Sequence, residues 1–124
     1  MKLKVKNLVK KFKTAIAVNN ISFEIEKNMT LGMPGPNGCG KTTSIGMMLG
    51  LITPTSGEIF IDDIKLENKN RIKLLSMMNF ASPYVELPKK LTVKQNLEVY
   101  ARLYGIKNRA NRIDELVEDL NLGK

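Results

Sequence analysis

The 124-residue chain has no histidine, one cysteine, few aromatic residues and a shortage of acid. Without histidine, no imidazole is available as a base or a metal ligand. The single cysteine, Cys39, excludes an internal disulfide and reads as a tolerated small residue rather than a redox site. Aromatic residues make up 6% of the chain, and none falls in a stacking motif of the RNA-binding type. No apolar run reaches membrane-span length; the longest, around Ile45 to Ile52, is interrupted by Gly46 and Gly50. The amino terminus is lysine-rich but has no apolar h-region, so the expectation is a cytoplasmic protein without a signal peptide. Internal repeats and low-complexity linkers are absent as well.

Against 12 acidic side chains stand 20 lysines and arginines, a net charge of +8. The bases are dispersed over Lys2, Lys4, Lys6, Lys10, Lys11, Lys13, the stretch from Lys65 to Lys73, and Lys89, Lys90 and Lys94. Dispersed bases without aromatic interleaving read as a solvated surface facing anionic lipid or an acidic partner, in preference to a nucleic-acid interface. The 43% apolar content suits a globular fold, and the length suits one domain or less.

The most informative residues are Gly35-Pro36-Asn37-Gly38-Cys39-Gly40-Lys41-Thr42-Thr43, which fit the phosphate-loop pattern G-x-x-x-x-G-K-[ST]. Glycine allows positive φ and close backbone approach to a ligand. The amides from about Gly38 to Thr43 can then turn inward around a polyphosphate. Lys41 would reach the β and γ phosphates, and the Thr42 hydroxyl would ligate Mg²⁺. The bland alternative is a glycine-rich turn ahead of a helix. Context argues against it, because the apolar Thr30-Leu31-Gly32-Met33 precedes the loop as a short strand should. Ile45, Met48, Leu49 and Ile52 follow at the spacing of one helix face.

Elsewhere, Leu3 and Val5 alternate with lysines, and Ile21, Phe23 and Ile25 alternate with Ser22, Glu24 and Glu26, as in half-buried strands. Residues 53–57 read as a turn and Glu58 to Asp62 as a strand. A short helix is expected at Lys69 to Leu74 and another strand near Ser76 to Phe80. Residues 81–91, with Pro83 and Pro88, form a loop. Thr92 and Gln95 make a capping box for a helix carrying Val93, Leu97, Tyr100, Ala101 and Tyr104, closed by Gly105. The last helix shows Ile113, Leu116, Val117 and Leu120 on one face and ends near Gly123. Alternating strands and helices argue an α/β fold with an antiparallel β portion at the front.

Taken in order, Asn7-Leu8, Lys11-Phe12, Ala17-Val18, Ile21-Ser22-Phe23, GPNGCGKTT, LGLITPTSGEI and LTVKQNLEVYARLYGI resemble the ATP-binding cassette (ABC) ATPases from about Val5 to Leu122. The segment SPYVELPKKLTV resembles ATPase subunits of exporters whose membrane domain is a separate chain. The resemblance implies a P-loop NTPase (RecA-like) core, incomplete here. Residues 1–80 would hold the β portion and core, and 81–124 a loop and the start of a helical subdomain. It implies an ATP site with Mg²⁺, lined by Phe12, Val18, Gly35, Pro36, Asn37, Gly38, Cys39, Gly40, Lys41, Thr42 and Thr43. Phe12 would stack on adenine and Val18 pack beside it; the plain alternative for both is core packing of a β-hairpin. The implied partners are a membrane-spanning transporter subunit and a second nucleotide-binding domain. The implied location is the inner face of the cell membrane, with ATP hydrolysis driving transport.

Several residues depart from the family pattern. Pro34 stands where an aliphatic strand residue is usual, and Asn28-Met29 replaces a Gly-Glu turn. No glutamine follows the strand expected near Phe80, where Asn79-Phe80-Ala81-Ser82-Pro83 stands instead. The LSGGQ-like signature, the acidic Mg²⁺-binding strand and the switch histidine are not among these residues. Ile59-Phe60-Ile61-Asp62 imitates the acidic strand only weakly, being followed by Asp63 rather than glutamate. The expectation is a chain that binds ATP without hydrolysing it, with a core strand left unpaired and only marginal stability. Three alternatives are a different P-loop NTPase, a soluble ABC ATPase and a truncated, non-catalytic basic module. A GTPase would need Asn-Lys-x-Asp, and Asn68-Lys69-Asn70-Arg71 has arginine in place of the aspartate.

Overall fold

The computed structural model describes residues 1–82 and 86–122, in two compact units, Met1–Phe80 and Ala81–Lys124. The first contains β1 (Leu3–Phe12), β2 (Ala15–Ile25), α1 (Lys41–Met48), β3 (Ser56–Ile61), β4 (Ile64–Lys65) and α2 (Arg71–Leu75). The second contains α3 (Val93–Leu103) and α4 (Arg109–Asp119). The expectations for Pro83 and Gly123 fall outside the described residues.

The strands form one four-stranded antiparallel sheet in the order β2-β1-β3-β4. Simple alternation marks only Leu3 and Val5 of β1 as inward. The register slips between Val5 and Leu8, where Asn7 takes φ 47°, so the parity changes and Leu8 is buried on the same side. The bulge is closed by side chains: the Asn7 amide donates to Ser22 Oγ at 2.7 Å, and that hydroxyl donates to Asn7 Oδ1 at 3.1 Å. Leu3, Val5, Leu8, Val18, Ile59 and Ile61 then pack with Met47, Met48 and Leu74 into one core.

The opposite sheet face carries charges that satisfy one another. Lys2 pairs with Glu24 and Glu26, Lys4 with Glu24 at 3.0 Å, and Lys65 with Glu58 at 2.6 Å. Three of the dispersed lysines, Lys2, Lys4 and Lys65, are thus paired locally. Hydrogen bonds from Lys2 and Lys4 lower the Glu24 carboxyl from its ordinary 4.5 to about 2, and Lys65 lowers Glu58. Carboxylates held low in the folded state stabilise it above their ordinary pKa, and that contribution fades as pH falls towards the folded value. Thermal unfolding midpoints are therefore expected to drop as pH falls from about 4.5 towards 2, the more so at low salt because these pairs are exposed. A midpoint flat across that interval contradicts the assignment.

Two expected strands do not form. Residues 29–36 and 78–82 run without regular structure. A strand is defined by the ladder it joins, and the sheet of the described residues runs β2-β1-β3-β4 without either segment. The apolar stripe of α1 also differs from its expectation. The helix ends at Met48 because Gly50 turns left-handed at φ 62°, so Ile52 lies beyond it. Ile52 folds back instead, its amide donating to the Gly46 carbonyl at 3.0 Å. The buried residues of α1 are Ser44, Gly46, Met47 and Met48, and Ile45 and Ile52 of the expected stripe still pack, partly buried, against the core. Asn28, at φ 65°, takes over the left-handed position that glycine usually fills.

In the second unit the capping box forms as expected. Gln95 N donates to Thr92 Oγ1 at 3.2 Å and Thr92 N to Gln95 Oε1 at 2.8 Å. Asn96, buried, donates to the carbonyls of Pro88, Leu91 and Thr92 and ties the preceding loop to α3. Val93, Tyr100 and Tyr104 of the expected apolar face are exposed, as is Leu120 on α4, whereas Ile113 is buried.

Candidate functional site

Strand β2 and helix α1 are joined by the long segment 26–40, and the phosphate-loop residues occupy its end. Gly40 caps α1 at φ 92°, a conformation that turns the chain sharply into the helix. A Cβ on Gly40 would stand 2.1 Å from the Ala17 carbonyl oxygen, so the loop lies directly against the β2 backbone. Ser44 N makes the first helical hydrogen bond, to Gly40 O at 2.8 Å. The amides of residues 40–43 precede it and have no i−4 carbonyl, and no side chain caps the helix. They carry the positive end of the helix dipole.

The Lys41 side chain bends back over the loop. Its ammonium donates to the Gly35 carbonyl at 2.6 Å and the Pro36 carbonyl at 2.7 Å, with Cys39 Sγ at 3.6 Å. Cys39 N donates to Pro36 O at 3.4 Å, closing a tight turn. Gly35 leaves room for the thiol, since a Cβ there would meet Cys39 Sγ at 2.6 Å. The product is one cation held by two consecutive backbone carbonyls, beside the uncapped amides of the helix start.

Val18, Cys39, Gly40 and Lys41 line a single cavity of about 530 Å³ together with Ile16, Ala17 and Ser44. Gly35, Pro36, Asn37 and Gly38 are exposed on the loop, Thr42 is exposed on the first turn of α1, and Thr43 is half-buried. Val18 belongs to the core as well as to the cavity wall. Phe12 does not line the cavity; it sits at the end of β1, 46% exposed, paired with Ala15. Asp62 is a turn residue at φ 46° whose Oδ1 accepts from the Lys2 amide at 2.7 Å, so it serves the sheet.

Sequence reasoning missed Ala17 and Ser44. Ser44 lies three residues after Lys41 and was findable from helical spacing. Ala17 stands beside Val18 among the residues that carry the family resemblance, but its contribution here is a backbone carbonyl, which no side-chain pattern marks.

Free amides, a left-handed glycine and one lysine suit a polyphosphate, whose oxygens accept from all of them. They suit a metal ion by itself poorly: the described residues contain no cluster of three acidic, histidine or cysteine side chains. Thr42 offers one hydroxyl, so a Mg²⁺ there would take its remaining ligands from phosphate oxygens and water.

A protein-family model described as ABC transporter matches residues 18–124. The probable multidrug ABC transporter ATP-binding protein YbhF of Escherichia coli is 33% identical over 108 residues, 87% of this chain and 18% of that protein. The zinc import ATP-binding protein ZnuC of Rickettsia conorii is 38% identical over 101 residues, 68% of this chain and 43% of that protein. The dimeric structure of MJ0796, a bacterial ABC transporter cassette, superposes with a TM-score of 0.76 at 27% identity, covering 96% of this chain and 56% of that one. This chain spans less than two-thirds of each of these proteins.

Proposed function

The chain belongs to the ABC transporter family, and from that premise we propose that it binds ATP at residues 35–43 as part of the ATPase subunit of a transporter. The observation that carries this reading is the Lys41 ammonium held by the Gly35 and Pro36 carbonyls beside the uncapped start of α1. A triphosphate would take hydrogen bonds from Lys41 and from the amides of residues 40–43, and Thr42 would hold its Mg²⁺. When bound, Mg²⁺ supplies charge neutralisation for the phosphates.

Phe12 is the proposed adenine platform. It faces Ala15 across the hairpin, two residues along β2 from the carbonyl that abuts Gly40, a separation along the strand of about 7 Å. That offset suits a base joined to its phosphates through a ribose.

In this reading residues 1–80 are the β portion and core of a nucleotide-binding domain, and 81–124 begin its helical subdomain. Its partners are a membrane-spanning subunit and a second nucleotide-binding domain, the latter in keeping with the dimeric MJ0796 cassette. It works at the inner face of the membrane, and among the described residues no helix is long and apolar enough to cross one. Export is our preferred direction, on the likeness of the segment before α3 to exporter subunits. The relatives include both a probable multidrug transporter protein and a zinc importer protein.

Calorimetric titration of the chain with Mg·ATP, Mg·GTP and AMP tests the binding reading. Saturable Mg·ATP binding that exceeds AMP binding is expected. Equal binding of AMP removes the phosphate loop from the explanation, and a strong preference for GTP points to another class of NTPase.

A further inference from the structure

Lys10 is half-buried at the end of β1, and its ammonium makes two contacts at once. It donates to the Thr53 carbonyl at 2.7 Å and stands 4.9 Å above the centroid of the Phe12 ring. Neighbouring contacts fix the same junction: Lys11 N donates to Thr55 Oγ1 at 3.0 Å, and Thr55 N donates to Val9 O at 2.9 Å. Thr53 follows α1, the helix that begins at Lys41. A short physical path therefore runs from the phosphate loop, along α1, through Thr53 and Lys10, to the ring.

We propose that Lys10 is a positioning residue for nucleotide binding, clamping one face of Phe12 so that the other face is presented to the adenine base. This rests on the reading of Phe12 as the adenine platform. An aromatic ring at a hairpin end, 46% exposed, is otherwise free to change rotamer, and binding a base would have to order it. An ammonium over the ring face attracts the π electrons and holds that orientation. The Thr53 carbonyl keeps the ammonium from following the nucleotide phosphates. Lys6 stands similarly over Phe60, 5.0 Å from its centroid, on the charged face of the sheet. The anchor on the segment after α1 is what distinguishes Lys10.

The test compares Mg·ATP with inorganic tripolyphosphate, which carries the phosphates without a base, on Lys10→Met, Lys10→Arg, Phe12→Ala and the Lys10→Met, Phe12→Ala pair. Circular dichroism melting establishes that each variant is folded. Lys10→Met is expected to weaken Mg·ATP by about threefold to tenfold and to leave tripolyphosphate within about twofold. Lys10→Arg, which can stack and donate in the same way, restores most of the loss. In the Phe12→Ala background Lys10→Met has no further effect. Equal weakening of both ligands by Lys10→Met overturns the proposal, because Lys10 then acts as a general attractor of phosphate. Unchanged Mg·ATP affinity in Lys10→Met, with a loss in Phe12→Ala, overturns it while leaving the platform intact. Unchanged Mg·ATP affinity in Phe12→Ala removes the platform itself, and the proposal falls with it.

Discussion

Lys41→Ala is expected to lower Mg·ATP affinity by about 100-fold or more, on the following grounds. Lys41 is the only cation among the described residues lining the cavity. Hydrogen bonds to charged groups contribute about 1.5–3 kcal/mol each, and an ammonium that gives up one of its two carbonyl partners has two of its three N–H groups for phosphate. The substitution also frees the Gly35 and Pro36 carbonyls, which the ammonium holds at 2.6 and 2.7 Å. The loop thus loses its internal brace along with its charge. Calorimetry on folded Lys41→Ala measures the first effect, and proteolytic sensitivity of residues 34–40 measures the second. Affinity within about threefold of the parent would exclude this loop as the phosphate site.

Gly40→Ala is expected to cost about 2–6 kcal/mol of stability and to abolish nucleotide binding. Two separate penalties combine. A φ of 92° strains any side chain, and the new Cβ would lie 2.1 Å from the Ala17 oxygen and 3.2 Å from its carbon. Both atoms are backbone of β2, which cannot rotate away as a side chain would. Gly38→Ala separates the terms, since Gly38 has φ 84° but nothing within 4 Å of its would-be Cβ. That variant should lose only the strain, about 1 kcal/mol. Equal melting temperatures for the two variants would show that the loop does not rest on β2 as described.

The loop at residues 35–43 stood out in the sequence because a phosphate-binding pattern consists of residue identities at fixed spacing. Glycine at 35 and 40 and lysine at 41 are required by backbone and charge, whatever the rest of the chain does. The capping box of α3 was legible for the same reason, both partners lying within one turn. Leu8 was not, because a bulge at Asn7 reverses the parity of the strand, and no local rule locates a bulge. The segments 30–33 and 76–80 have strand-like composition but do not join the sheet β2-β1-β3-β4 of the described residues, and ladder pairing is a property of the whole sheet. The α1 stripe shifted because Gly50 ends the helix early and sends Ile52 back over Gly46. Phe12 could be selected from the family resemblance, and Lys10 lies two residues before it on β1, but the bond from Lys10 to Thr53 depends on folding distant segments together.

The central place of β1 sets an order of assembly. Its pairing with β2 is local, across a two-residue turn, whereas its pairing with β3 joins positions about fifty residues apart, such as Lys4 and Phe60. A hairpin closes in microseconds, and the distant pairing waits on the entropy of closing a long loop. Residues 35–43 lie wholly inside that loop, and the contacts that hold them, through Ala17, Lys41 and Ser44, are on β2 and α1 and not on β3. During synthesis the β1–β2 hairpin would emerge first, with one side of β1 unpaired until residues 56–61 dock. Pulse-labelling hydrogen exchange should find amides bridging β1 and β2 protected before those bridging β1 and β3. Simultaneous protection would mean that the sheet condenses in a single step.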